Sequence, residues 1–316
     1  MQKRQIGNSA LQVTPLILGG NVFGWTADEP TSFDILDAFV DAGGTMIDSA
    51  DVYSFWAEGH SGGESETVIG NWLARSGKRD RVQIATKAGF LGGLSPQAIR
   101  TAVDASLKRL KTDRIDLYYQ HKDDEAVPLA DSLGTYDELR REGKIGEIGL
   151  SQYTPERLRE AVTTADRQGY ARPCVLQTWY NLLERGKLEG PLLNACADSG
   201  MSVMPFYALA NGFLTGKYRS SDDLGKSVRG IRNIAYLEGK GPRVLAALDQ
   251  IARETGAPLG TIALAWTLAQ PRICGVLASA TSVAQLQDSL KVLSFTLSPA
   301  QIELLNAASA DAPAEA

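Results

Sequence analysis

The chain has 316 residues, 44% of them hydrophobic, and a formal net charge of -5 at pH 7. It is long enough for one large domain or two ordinary ones, and its acidic balance argues against nucleic acid or an anionic membrane as a partner, since both require a basic face. The N-terminus has no apolar signal-peptide run, no stretch approaches the length of a membrane span, and the three widely spaced cysteines predict buried free thiols in a cytoplasmic protein.

Short β-rich runs alternate with amphipathic helical stretches from about residue 13, which is typical of a parallel sheet with helical crossovers. We predict eight strands, at residues 16–18, 45–47, 82–86, 115–119, 145–150, 175–178, 202–205 and 273–277. Proline at the first helical position, directly after a short polar capping residue, marks helix starts because its missing N–H is not needed there. Three such starts follow Ser95, Thr154 and Ser298, and a capping-box pattern predicts another at Thr31.

Eight strand–helix repeats predict an α/β fold, a (β/α)8 TIM barrel. The alternative is a doubly wound open sheet, but no G-x-G-x-x-G fingerprint follows any predicted strand, so the barrel is favoured. We expect one domain over residues 1–316, with segment 1–15 capping the bottom of the barrel and the Ala-rich residues 307–316 forming a frayed tail. In such a barrel, functional side chains cluster at the C-terminal ends of the strands.

Four ionisable residues lie at or just after the ends of three consecutive predicted strands, namely Asp48, Tyr53, Lys87 and His121. Taken singly, they have a structural interpretation as an ion pair between Asp48 and Lys87 at the barrel rim, with Tyr53 packed against it. A metal site around His121 is another alternative. The chain has only two histidines, so a zinc or iron site is poorly supplied and no metal is predicted.

The order and spacing of these four residues resemble the catalytic tetrad of the aldo-keto reductase superfamily. The resemblance covers nearly the whole chain, through Gly19-Gly20, Gly149-Leu-Ser151, Gln177-Thr-Trp-Tyr-Asn181 and Leu214-Thr-Gly-Lys-Tyr218. The motif pattern is most similar to the bacterial general and potassium-channel beta-subunit-like branch. It implies an oxidoreductase that uses NADP(H), or alternatively NAD(H), and acts on a small carbonyl or alcohol substrate.

The four side chains can supply the proton that carbonyl reduction requires at oxygen. Tyrosine has a free pKa of about 10 and is a poor acid at neutral pH. A neighbouring ammonium stabilises tyrosinate, lowers that pKa and makes proton donation easier. We therefore assign Tyr53 as general acid and base, Lys87 as the cation that tunes it, and Asp48 as the partner of Lys87. His121 can donate a hydrogen bond to the substrate oxygen and orient it.

The resemblance also implies contacts to the nicotinamide end of the cofactor, beginning with Gly20. Ser151 and Gln177 match positions that hydrogen-bond the carboxamide, whereas Gln152 stands where the family usually has asparagine or arginine. Phe206 matches the aromatic residue that stacks on the nicotinamide ring, with core packing as its alternative role. The neighbouring positions of that cofactor segment are Tyr207 and Leu209.

The pyrophosphate and adenosine are expected against segment 217–229 and the last strand–helix unit, because a helix N-terminus can bind phosphate through its free N–H groups. Candidate contacts in that unit are Ser279, Thr281, Gln285, Asp288 and Ser289. In the alternative interpretation, Gln285 serves only a capping box with Ser282. None of these candidates is basic, so the 2′-phosphate is assigned to Lys217 and Arg229, with Arg232 as substitute; otherwise these are solvated loop cations.

Large aromatic residues are candidate walls of an apolar substrate pocket. They are Trp25, Trp56, Trp179 and Tyr207. Packing is the alternative for each, since large aromatics are often mostly buried. The sequence does not select among aldehydes, ketones, sugars and secondary alcohols, and it leaves the reaction direction and oligomeric state open. Two other functions stay open: a nucleotide-sensing regulatory subunit with little turnover, and a metal-dependent barrel hydrolase.

Overall fold

The computed structural model describes residues 2–311. Their strands form a short hairpin and one eight-stranded parallel sheet. The antiparallel hairpin consists of β1 (Arg4–Gln5) and β2 (Gln12–Val13). The sheet strands are β3 (Leu16–Gly19), β4 (Met46–Asp48), β5 (Gln83–Ala88), β6 (Ile115–Gln120), β7 (Ile145–Ser151), β8 (Val175–Trp179), β9 (Ser202–Phe206) and β10 (Val276–Ala278). They correspond to the eight predicted strands, with the largest displacement at β10.

The strand order is β10-β3-β4-β5-β6-β7-β8-β9, and every pairing is parallel. A further parallel bridge between Val203 and Ile273 brings β9 to the start of the β10 segment. The sheet therefore curls round on itself with helices between its strands, and the predicted (β/α)8 barrel is confirmed. The open-sheet alternative is wrong because its two edges would lie apart.

Ten α-helices accompany the strands in the described chain. They are α1 (Glu29–Asp41), α2 (Glu64–Ser76), α3 (Pro96–Leu110), α4 (Leu129–Arg141), α5 (Pro155–Gln168), α6 (Pro191–Asp198), α7 (Gly241–Thr255), α8 (Leu259–Leu268), α9 (Val283–Leu290) and α10 (Pro299–Ser309). The predicted starts after Ser95, Thr154 and Ser298 are confirmed, and each of these side chains accepts a bond from the third helical N–H. The start at Thr31 is wrong, because Asp28 caps α1 and accepts from the Thr31 N–H.

The hairpin and the chain end both pack on the barrel. Ile6 and Val13 are completely buried and share a hydrophobic cluster with residues at the N-terminal ends of the strands, among them Met46. The frayed tail was predicted to begin too early, because residues 307–309 complete α10 and Ala308 and Ser309 are buried. Residues 312–316 of that prediction lie outside the described residues.

A long connection between β9 and α7, called here the β9–α7 segment (residues 207–240), carries three short 3-10 helices. They span Ala210–Thr215, Ser221–Lys226 and Gly230–Tyr236. Because the segment leaves the C-terminal end of β9, it lies at the barrel end where the polar strand-end residues point. Three of its apolar side chains are largely exposed, namely Val228, Ile231 and Ile234.

Candidate active site

A buried ion pair lies at the C-terminal ends of β4 and β5. The Lys87 ammonium donates to a carboxylate oxygen of Asp48 at 2.5 Å and to the carbonyl of Ser49 at 2.7 Å. The Gln177 amide donates to the other Asp48 oxygen at 2.9 Å. Neither charged side chain is exposed by more than 1%. Each charge is therefore compensated by a partner and by further hydrogen bonds, which burial of an ion pair requires.

Tyr53 sits in the turn after β4 with its hydroxyl directed to Lys87. The ammonium donates to that hydroxyl at 3.3 Å and lies 4.9 Å from the ring centre. The backbone turn is fixed because the Tyr53 carbonyl accepts from the N–H groups of Gly63 and Ser65, at the start of α2. The expected contact between Tyr53 and Lys87 is thus present in the fold.

The pKa values of this pair follow from burial and mutual contact. Burial raises the pKa of Tyr53, and the Lys87 ammonium opposes that rise without cancelling it. For Lys87, burial acts to lower the pKa, but Asp48 and Tyr53 outweigh it and raise the pKa above its ordinary value. At neutral pH the phenol therefore keeps its proton and the amine stays an ammonium. The lowering of the Tyr53 pKa expected from the sequence is wrong as a net effect, because burial outweighs the Lys87 ammonium and leaves that pKa raised.

His121 is the first residue after β6, and its N–H continues the strand pairing by donating to the carbonyl of Ala88 at 2.8 Å. Its ring centre lies 6.0 Å from that of Tyr53 and 5.0 Å from that of Phe90. Burial, helped by the charges of Lys87 and Lys122, lowers the His121 pKa to about 2. The imidazole is therefore neutral at physiological pH and carries one N–H that can be donated.

Aromatic rings continue from Tyr53 outward across the mouth of the barrel. The Trp56 ring lies 5.7 Å from Tyr53 and 5.5 Å from Trp25, both edge to face. Phe55 packs on Trp56 and approaches Phe90. Sequence reasoning predicted Trp25 and Trp56 but missed Phe55 and Phe90. Their positions in the loops that follow Asp48 and Lys87 are the signal that could have found them.

A second aromatic group lies at the ends of β8 and β9. The Trp179 ring is 4.8 Å from Tyr207 and 6.3 Å from Phe206, and all three are half-buried. The side-chain N–H of Trp179 is buried and has no hydrogen-bond partner within residues 2–311. Leu209, also half-buried, follows in the β9–α7 segment. The predicted pocket aromatics therefore form two groups.

The predicted nicotinamide contacts fall on neighbouring strand ends. Ser151 and Gln177 are direct partners in the pairing of β7 with β8, and both are buried. Gly20 is also buried, but its N–H already donates to the Asp48 carbonyl and its own carbonyl accepts from a serine hydroxyl. Gln152 has a left-handed backbone, with φ 56°, and its amide donates to the carbonyl of His121 at 3.2 Å.

The predicted adenosine contacts lie after β10, and most of their polar groups already bond within the chain. The Ser279 hydroxyl donates to Asn21 at 2.6 Å. Gln285 accepts from both the N–H and the hydroxyl of Thr281. The capping box is thus shifted by one residue, because the return bond goes to Thr281 rather than to the cap residue Ser282.

The two acidic and hydroxyl candidates further along α9 also have partners in the chain. Asp288 pairs with Lys291 at 2.6 Å. The Ser289 hydroxyl donates to the carbonyl of Gln285 at 3.3 Å. Asp288 therefore faces a solvated lysine just beyond the end of its helix, in an ordinary surface ion pair.

The predicted phosphate cations all lie in the β9–α7 segment, and none of them forms an ion pair in the part of the chain that the structure describes. Lys217 is exposed and lies 4.9 Å from the ring of Tyr218. Arg229 is half-buried, with its guanidinium 5.1 Å from the Trp25 ring, and burial lowers its pKa. Arg232 is exposed. Arg229 therefore reaches the aromatic mouth rather than α9.

Two absences bear on the alternatives. Within residues 2–311, no group of three or more histidine, cysteine, aspartate or glutamate side chains is arranged to hold a metal ion. In the same described range, no helix has the length and apolar character needed to cross a bilayer. The three cysteines, Cys174, Cys196 and Cys274, are free and buried.

Comparison with known proteins agrees with this fold. Residues 15–310 match the model of the Aldo/keto reductase family. The chain is 31% identical to "Uncharacterized oxidoreductase YrpG" of Bacillus subtilis, over 97% of this chain and 95% of that protein. It is 32% identical to human "Aflatoxin B1 aldehyde reductase member 4", over 92% of each chain.

A third relative is the "Probable voltage-gated potassium channel subunit beta" of Arabidopsis thaliana, at 30% identity over 93% of this chain and 91% of the plant protein. The chain belongs to the aldo/keto reductase family. Its relatives include bacterial proteins and a channel-subunit-like protein, so the predicted branch of the family is confirmed as well.

Proposed function

We propose that this protein is an NADP(H)-dependent oxidoreductase that interconverts a small aldehyde or ketone and the corresponding alcohol. The observation that carries the proposal is the buried contact from Asp48 through Lys87 to the Tyr53 hydroxyl, with neutral His121 beside it. A structural ion pair would not need a phenol directed at its ammonium or an imidazole facing that phenol. The family and the relatives named as oxidoreductases support the same activity.

In this mechanism, the substrate carbonyl lies between Tyr53 and His121. The His121 N–H holds the oxygen by a hydrogen bond, and it can do so at any physiological pH because the ring does not titrate there. As negative charge grows on the oxygen, Tyr53 transfers its proton to it, and the adjacent Lys87 ammonium stabilises the tyrosinate that forms. Asp48 keeps Lys87 charged and in place. In the reverse direction, tyrosinate accepts the alcohol proton.

The bound dinucleotide would supply hydride at the carbonyl carbon. The donor set beside the tetrad fits its nicotinamide: Ser151 and the Gln177 amide oxygen are on paired strand ends, and Phe206 offers a half-buried ring at the end of β9. Arg229 is a half-buried guanidinium without a carboxylate partner in the described residues, which fits a site that receives a phosphate.

We further propose that NADP(H) is preferred over NAD(H), with Lys217 and Arg229 as the cations for the phosphates. Because the residues around α9 offer no free cation, the preference should be weaker than in members with a basic residue there. The experiment that tests the proposed function is NADPH oxidation with a panel of aldehydes and ketones, repeated with a chelator. Turnover that survives chelation is expected, and chelator-sensitive hydrolysis without NADPH oxidation would support a metal-dependent barrel instead.

A second candidate is a nucleotide-sensing regulatory subunit with little turnover. The observation that favours it is the relative named as a channel beta subunit. That protein's partner is not carried over to this chain. Tight NADPH binding without oxidation by any carbonyl in the panel would select the regulatory role over the enzymatic one.

A further inference from the structure

We propose that the loop from β7 to α5, together with the first turn of α5, positions His121 for catalysis, with Gln152, Tyr153 and Arg157 as positioning residues. The proposal rests on the proposed function, because it assigns a task to residues outside the tetrad within that same reaction. None of the three was expected from the sequence to act on His121, and Gln152 had been assigned to the cofactor.

The first observation is that one ring nitrogen of the His121 imidazole has no hydrogen-bond partner in the described chain. His121 Nδ1 is buried, and no residue between 2 and 311 offers it a hydrogen-bond partner. The ring is held by packing against Phe90 and Tyr53. Packing lacks the directionality of a hydrogen bond, so the position of the ring depends on the backbone that carries it.

The second observation is that the β7–α5 loop bonds to the side chain of the residue before His121 and to the carbonyl of His121 itself. The Tyr153 hydroxyl donates to the side-chain oxygen of Gln120, the buried residue before His121. The Gln152 amide donates to the carbonyl of His121 itself. Gln152 reaches this carbonyl from its left-handed backbone conformation, which turns the chain immediately after β7.

The third observation is a two-pronged ion pair just beyond His121. Arg157 donates through Nε and Nη2 to the two oxygens of Asp123, at 2.6 and 2.9 Å. The side chains are only 20% and 14% exposed, so solvent screens them less than a surface pair. Paired parallel bonds fix both distance and orientation. Asp123 lies two residues after His121, so this ion pair ties the chain that follows His121 to the first turn of α5.

The same loop begins at Ser151, which the proposed function assigns to the nicotinamide carboxamide. One short stretch, residues 151–157, would therefore contact the cofactor at one end, and it bonds to the His121 carbonyl and to the side chains of Gln120 and Asp123. This sets the separation between the hydrogen-bond donor and the reacting carbon. A misplacement of about 1 Å at such a site can cost roughly a hundredfold in rate.

The test compares Asp123→Asn with Glu160→Gln, which both remove one carboxylate partner of Arg157. Glu160 bonds Arg157 at 2.8 Å but is 58% exposed and lies on α5 away from His121. Asp123→Asn should lower kcat about tenfold, while the Kd of NADPH changes less than about twofold. Glu160→Gln should leave both quantities near the wild-type values. NADPH titration of each sample gives the amount of folded protein to which kcat is referred.

The decisive step repeats Asp123→Asn in a His121→Ala background. If Asp123 acts through His121, Asp123→Asn should lower kcat by no more than about twofold in the His121→Ala background, because the two substitutions remove the same contribution. Gln152→Leu, at an exposed position that does not threaten folding, should lower kcat about threefold and lose its effect in the same background.

Two results would overturn the proposal. The first is a loss of kcat from Asp123→Asn that is as large in the His121→Ala background as in the wild type. The second is an equal loss of kcat from Asp123→Asn and from Glu160→Gln. If Asp123→Asn fails to fold, the Gln152→Leu pair decides alone. A wild-type protein that reduces no carbonyl in the panel would contradict the proposed function itself, whereas a working wild type with a silent Asp123→Asn contradicts only the positioning role.

Discussion

The region of the four predicted catalytic residues and the predicted adenosine end of the cofactor site differ in what their polar side chains bond to. At the tetrad, the buried charges of Asp48 and Lys87 are paired and directed at the Tyr53 hydroxyl. After β10, the polar groups of Thr281 and Gln285 bond to each other on the surface. The unpaired cations are in the β9–α7 segment instead, with Arg229 on Trp25.

The two halves of the proposed reaction therefore depend on different kinds of structure. Proton transfer needs an arrangement that is fixed before substrate arrives, because preorganised groups need no rearrangement in the transition state. Phosphate recognition can use exposed side chains on a segment that adjusts when an anion arrives. Substitutions at the tetrad should therefore change rate, and substitutions in the β9–α7 segment should change affinity.

The largest effect is expected from Tyr53→Phe. Only the phenol oxygen can deliver the proton, so carbonyl reduction should fall about a hundredfold or more. NADPH affinity should stay nearly unchanged, since the ring and its packing against Trp56 remain. Steady-state rates and fluorescence titration of NADPH on the same sample check both statements. Rates within about threefold of wild type, or about 0.65 kcal/mol of barrier, would contradict the assignment.

A second large effect is expected from Lys87→Met, in rate, pH profile and stability. Without the ammonium, the pKa of Tyr53 rises further, so the fall of reduction at high pH should move upward in pH while the maximum rate drops. Leaving Asp48 buried and unpaired should lower the free energy of unfolding by about 3–5 kcal/mol.

The double variant Asp48→Asn/Lys87→Met is the matched control, because it removes both buried charges. It should regain part of the stability measured by chemical unfolding but none of the rate. A low rate with an unchanged pH profile in Lys87→Met would indicate that Lys87 is only a structural partner of Asp48.

The meeting of the four predicted catalytic residues could be expected from the sequence, because strand ends in a barrel converge and these residues follow successive strands. The left-handed Gln152 could not, since whether its amide faces a cofactor or the His121 carbonyl depends on where two loops meet. The capping box that was the alternative role of Gln285 is half formed for a similar reason: Ser282 accepts from its N–H, but its side chain accepts from Thr281. The position of Arg229 against Trp25 could not be predicted, because short 3-10 helices such as the one that follows Arg229 have no repeating hydrophobic pattern in the sequence.

An intermediate effect is expected from Arg229→Ala and Lys217→Ala. If these cations bind the 2′-phosphate, the loss of one charged hydrogen bond, about 1.5–3 kcal/mol, should weaken NADPH binding roughly tenfold or more and leave NADH binding unchanged. Dissociation constants for both cofactors check this. Arg219→Ala is the control, because Arg219 is in the same segment but already occupied by Asp249.

Equal losses for NADPH and NADH would mean that the segment contacts the pyrophosphate and does not read the 2′-phosphate. No loss for either cofactor would contradict the assignment of both cations and direct attention to Arg232.

The smallest effect is expected in the pH profile, where His121 should not titrate. Because burial lowers the His121 pKa to about 2, the ring is neutral in the folded protein throughout the physiological range. The pH profile of kcat/KM should therefore show no limb near pH 6.5, the ordinary value for histidine. A limb there that disappears in His121→Gln would show that the imidazole titrates during the reaction and donates as a cation.

In the proposed reaction, hydride passes directly from the nicotinamide to the carbonyl carbon while Tyr53 supplies the proton to the oxygen. The most direct measurement uses NADPH carrying deuterium at both C4 positions, with any carbonyl that the panel identifies, and mass spectrometry of the alcohol. Direct transfer should place one deuterium on the former carbonyl carbon in ordinary water, and none there when unlabelled NADPH reacts in heavy water. An alcohol that takes its carbon-bound hydrogen from solvent, or NADPH oxidation without any labelled alcohol, would contradict it.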